Sequence, residues 1–122
     1  TNCSSCHSSI LFTDFSFQNN GLYDVYSDVG KYRLTNDSSD IGVFKVPTLR
    51  NINFTAPYMH DGSISNLKDV VIHYNSGGAT HPNKNSILEP LNLNEQEIND
   101  LIAFLESLSD YTFINNKLLS DE

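Results

Sequence analysis

Two thiols and an imidazole crowd one end of the sequence: "TNCSSCHSSI" holds Cys3, Cys6 and His7, and the chain has no other cysteine. A C-x-x-C-H string can fix a haem. The thiols add to the two vinyl groups, and the histidine next to the second cysteine binds iron from the proximal side. Three other chemistries compete. A structural zinc site needs four ligands, and the remaining histidines, His60, His73 and His81, are scattered singly along the chain. A dithiol redox pair belongs at the start of a helix behind a strand, and only Thr1 and Asn2 precede Cys3. A local disulfide would use both thiols but gives no role to His7. Haem attachment is the reading that uses all three residues.

A haem held by His7 leaves a second axial position for another residue. Met59, the one methionine, is the first chemical choice, because a thioether stabilises ferrous iron and raises the potential; a methionine filling a gap in the core is the plain alternative. Tyr74 would act in the opposite sense, since a phenolate is a hard anionic donor that favours ferric iron. Its plain alternative is a helix aromatic facing the core. His60, His73 and His81 read as turn or surface residues. Arg50 is the candidate partner for a haem propionate, with an ordinary surface arginine as the alternative. Phe44, Phe54 and Tyr58 are candidate walls, and Asp61 suits a turn with Gly62 or a contact with His60.

These residues need elements to carry them. Residues 10–34 alternate aromatics with Asn, Asp and Gly and keep no helical period, which predicts loop with short extended pieces. "TNDSSDIG" reads as a turn or a one-turn helix, and the segment with Pro47, Pro57 and "HDG" as a long ordered loop. Leu67, Val70, Val71 and Tyr74 then repeat at helical spacing, with Ser65 or Asn66 to cap the start and Gly77 and Gly78 to stop the end. A last helix opens on a capping-box pair, Asn94 and Glu97, with Leu93 and Ile98 as a candidate staple. Its apolar stripe, Ile98, Leu101, Ile102, Leu105 and Leu108, reads as core packing rather than as part of a cofactor site.

Composition sets the outer limits. The 122 residues, 39% of them hydrophobic, contain no apolar run long enough to span a bilayer and fit one modest domain. A formal charge of −8, from 15 acidic and 7 basic residues without a Lys/Arg cluster, argues against nucleic acid or an anionic membrane as partner. A basic protein partner suits it better. The sequence does not start with methionine, which reads as a mature form or an excised piece.

The strings "CSSCHSSILFTDFSFQNNG", "GVFKVPTLRNINFTAPYMHDGSISNLKDVVIHYNSGG", "HPNKN" and "LNLNEQEINDLIAFLESLSD" together resemble the C-terminal haem domain of bacterial dihaem cytochrome c peroxidases, in particular the MauG-like branch. The resemblance implies a mainly α, cytochrome c-like domain with long loops. It matches Cys3 and Cys6 to the thioether positions and His7 to the proximal ligand of covalent haem c. It also moves the distal position from Met59 to Tyr74. Backbone carbonyls at Thr55 and Pro57 match those that bind a calcium ion between the family's two domains. The family carries a second haem on an N-terminal domain, exchanges electrons with a redox protein and works in the periplasm. This chain has one haem motif and reads as the C-terminal domain alone. On that reading it acts in electron transfer or charge sharing and is inactive as a peroxidase alone. The resemblance further implies that the helix normally crossing the last one is missing, so that the Ile98–Leu108 stripe would repack or drive dimerisation. A monohaem electron carrier with His/Met ligation, or a haem-free metal-binding module, are the alternatives.

Overall fold

The structure, a computed structural model, describes residues 2–119. Two helices do most of the architectural work. α2 (Leu67–Ser76) starts at Asn66, whose side chain accepts from the Asp69 N–H, so Asn66 rather than Ser65 is the cap. It stops at Gly77, where φ of +82° suits glycine and a side chain would meet Pro90. α3 (Glu95–Ser107) opens on the expected capping box: Glu97 N–H donates to Asn94 Oδ1 at 3.0 Å, and Asn94 N–H donates to Glu97 Oε2 at 2.9 Å. Before them in sequence comes α1 (Tyr32–Thr35), and after them α4 (Tyr111–Ile114), each a single turn.

The rest is wrapped chain. β1 (Phe17–Gln18) and β2 (Phe44–Lys45) pair antiparallel, Phe17 opposite Lys45 and Gln18 opposite Phe44; β1 is an extended piece expected within residues 10–34, whereas β2 lies beyond them. The one-turn helix read in "TNDSSDIG" is a 3₁₀ turn, Ser38–Asp40, capped by Asp37. α1 was not legible, because nothing in "KYRLT" repeats over more than one turn.

The core lies where α2 and α3 meet. Tyr58, Leu67, Val71 and Leu105 are buried together, with Leu49, Ile52, Ile64 and Val70 packed around them. All five stripe residues, Ile98, Leu101, Ile102, Leu105 and Leu108, belong to this cluster. Of the two outcomes expected for the stripe, packing within the chain is the one seen here: α2 and the 3₁₀ turn Ile52–Phe54 pack against it. Tyr26, Val43 and Val46 are buried as well, and so is the polar Asn19, only 1% exposed. Asn19 Oδ1 accepts from Gly21 N–H and Tyr26 O–H, while its amide nitrogen reaches the Ile41 carbonyl and His81 Nδ1. Such a satisfied amide fixes irregular chain that no helix or sheet holds.

Candidate haem site

A single 3₁₀ turn, Cys3–Ser5, places the motif. His7 N–H donates to the Cys3 carbonyl at 2.9 Å and Cys6 N–H to the same oxygen at 3.3 Å, which gathers the three side chains on one turn. Both thiols are free. Burial, then the Asp14 carboxylate and Cys3, push the Cys6 thiol above its ordinary range. His7 is oriented from behind: Nδ1 lies 3.0 Å from the Phe12 carbonyl, so Nδ1 carries the proton and Nε2 keeps its lone pair.

Cys3, Cys6 and His7 line a cleft of about 410 Å³. Val46, Pro47, Leu49, Ile52, Val70, Leu88, Leu101, Phe104 and Leu105 make its walls apolar, and Met59 and Tyr74 also line it. Two thiols, an oriented imidazole, an apolar slot and a second donor are what a covalently held haem requires, so the residues present fit that group. Among the described residues no cluster of three His, Cys, Asp or Glu side chains could hold a metal ion.

Tyr74 and Met59 differ in their settings. Burial pushes the Tyr74 phenol up, a hydrogen bond from Asn20 pulls it down, and the thiols of Cys3 and Cys6 add to the rise. The net direction is up, so the group is a neutral phenol unless a cation is placed beside it. Met59 sits at φ +75°, a left-handed conformation that costs a residue with a side chain roughly 1–2 kcal/mol. The bridge between Tyr58 and Ile64 closes its turn, and its sulfur lies 3.3 Å from Asn20 Nδ2.

Other candidates separate clearly. Phe44 and Tyr58 line the cleft, whereas Phe54 is turned outward against Tyr111, with ring centres 5.1 Å apart. His60 lines the cleft and stacks on Phe44 at 3.9 Å. His73 Nε2 donates to the Asn20 carbonyl, 3.0 Å away, and His81 belongs to the Asn19 network. Arg50, the candidate propionate partner, is not among the residues that line the cleft. Its Nε donates to the Ile10 carbonyl at 2.8 Å and its guanidinium lies over Phe12, so it pins the loop that holds His7. Thr55 and Pro57 are exposed and lie outside the cleft lining. Asp61 accepts from Tyr23 O–H at 2.7 Å and from Ser63 N–H at 3.0 Å, which lowers its carboxyl to about 2. Leu101 and Leu105 correct the reading of α3 as core alone, because they serve the core and the cleft together. Asn20, which also lines the cleft, was missed: an asparagine in a loop carries no periodic or motif signal.

Known proteins resemble this chain in sequence and in fold. The cytochrome-c peroxidase IdrP1 of Denitromonas iodatirespirans is 50% identical over 82 residues, which are 67% of this chain and 22% of that protein. The methylamine utilization protein MauG of Methylorubrum extorquens is 39% identical over 108 residues, 87% of this chain and 30% of its own length. The chain thus spans less than a third of these curated relatives. A crystal structure of a MauG-like protein associated with microbial copper homeostasis superposes with a TM-score of 0.91 at 35% identity, over 98% of this chain and 46% of that one. That agreement shows the mainly helical fold with long loops. The profile of the cytochrome c family matches residues 1–109 and so takes in the attachment motif together with both helices that close the cleft; the chain belongs to the cytochrome c family.

Proposed function

We propose that the chain is the haem c domain of a two-haem, peroxidase-family oxidoreductase, where it serves electron transfer or charge sharing with a second haem on another domain of the same protein. Family membership implies haem c as cofactor. The observation that carries the reading is the shared cleft, which sets Cys3, Cys6 and His7 together with Tyr74. In this reading the Cys3 and Cys6 sulfurs make the thioether bonds, His7 Nε2 is the proximal donor and Tyr74 Oη the distal one. When bound, the haem supplies a one-electron couple. The chain's own residues decide what that couple can do. The Phe12 carbonyl fixes the imidazole, Arg50 steadies the loop bearing Phe12, and the apolar walls exclude water. With His7 and Tyr74 both holding the haem, no place would be left for peroxide, and peroxide chemistry would belong to the other domain. The Thr55 and Pro57 carbonyls are the candidate calcium donors at the boundary between domains.

The attachment chemistry needs reduced thiols and dedicated machinery outside the bacterial cytoplasmic membrane, which puts the protein in the periplasm. No helix among the described residues is long and apolar enough to cross a membrane. The acidic surface suits a basic redox protein as electron donor.

A second reading has one observation in its favour: Met59 lines the same cleft, as a His/Met electron carrier would require. Ferric absorption spectra of the haem-loaded chain decide between them. Tyrosine ligation predicts no long-wavelength thioether band, a changed spectrum and a raised potential in Tyr74→Phe, and little change in Met59→Leu. A thioether band that Met59→Leu abolishes would overturn the Tyr74 assignment.

A further inference from the structure

We propose that Asn20 selects the distal ligand by tethering the Met59 thioether, which leaves the iron to Tyr74. The inference rests on the Tyr74 reading above and adds the reason why Tyr74 prevails over a thioether lining the same cleft. Asn20 itself lines that cleft. Its Nδ2 lies 3.3 Å from Met59 Sδ, and its Oδ1 accepts from Leu22 N–H at 3.2 Å, so the donor and acceptor ends of the amide are both engaged.

The backbone around Asn20 is held at three successive residues. The Asn19 carbonyl accepts from Asn85 N–H at 3.1 Å, the Asn20 carbonyl meets His73 Nε2 at 3.0 Å, and the Gly21 carbonyl accepts from Ala79 N–H at 2.7 Å. Gly78 permits this approach, since a side chain there would stand 2.8 Å from the Gly21 carbonyl oxygen. His73 is the neighbour of Tyr74 on α2, so the clamp ties Asn20 to the helix that carries the ligand. Met59 is the adaptable member of the set, with three rotatable bonds in its side chain. A rigid donor thus restrains a flexible sulfur. Losing the donor frees the thioether, which moves ligation toward Met59. One lost hydrogen bond shifts such a balance by roughly tenfold.

The test is the ferric absorption spectrum of the haem-loaded chain carrying Asn20→Asp or Asn20→Ala, each alone and with Met59→Leu. Asn20→Asp keeps the shape and the Oδ1 acceptor for Leu22 but lacks both N–H donors, so it preserves the loop if Asn20→Ala does not fold. The proposal predicts a gain of the thioether band in each folded variant, and its loss again on adding Met59→Leu. A wild-type spectrum without the thioether band, left unchanged by folded Asn20→Asp, overturns the role of Asn20 and leaves Tyr74 as ligand. A thioether band already present in the wild type overturns the Tyr74 reading and, with it, this one.

Discussion

His7 and the two cysteines were legible because their geometry is local: one turn of backbone hydrogen bonds brings them together. Arg50 and Asn20 were not, because their roles depend on partners far away in sequence. Arg50 meets Ile10 across 40 residues, and Asn20 meets Met59 across 39. No pattern in the chain announces such contacts. At this scale Arg50→Ala is expected to loosen the loop behind His7 and broaden the proximal signals in the NMR spectrum of the haem-loaded chain, with haem still attached. Asp61 gives a pH prediction. Its carboxyl is held at about 2, below its ordinary 3.8, chiefly by the Tyr23 hydroxyl. A carboxylate lowered in the fold stabilises it above pH ~4 and loses that contribution as pH falls toward ~2. The melting temperature of Asp61→Asn should therefore lie below that of the wild type at neutral pH, with the gap closing over that acid range. A constant gap would remove the Tyr23–Asp61 bond from the account.

Among elements, α2 and α3 were readable because each combines a periodic apolar face with an asparagine cap. Asn94→Ala should cost about 1 kcal/mol in urea unfolding, since it leaves an N-terminal N–H of α3 without its acceptor. The wrap before α2 was less legible for a physical reason. Phe12, Phe15 and Met59 all adopt positive φ, where local preference opposes the residue and only tertiary contacts decide. The dual use of α3 belongs here as well. Leu105 is packed against Val71 and also lines the cleft, so Leu105→Ala should lose about 2–5 kcal/mol of stability and perturb the haem spectrum together. A loss of stability with an unchanged spectrum would confine α3 to the core.

At the scale of the whole molecule, composition excluded more than it assigned. A net charge of −8 disfavours nucleic acid and anionic membranes, and in the proposed role it becomes an attractive surface for a basic electron donor. Reduction by such a donor should slow several-fold as ionic strength rises from ~0.01 M to ~0.15 M, because the screening length falls to about 8 Å. The curated relatives extend well beyond the span matched here, which is why a second haem domain forms part of the proposed function. Everything in that proposal depends on covalent haem at Cys3 and Cys6. The most direct test is to produce the chain in the periplasm of a host that matures c-type cytochromes, denature it in alkaline pyridine and count haem per chain. The account predicts one covalently attached haem, lost in Cys3→Ser/Cys6→Ser. Folded chain that leaves the same maturation system without covalent haem would contradict it.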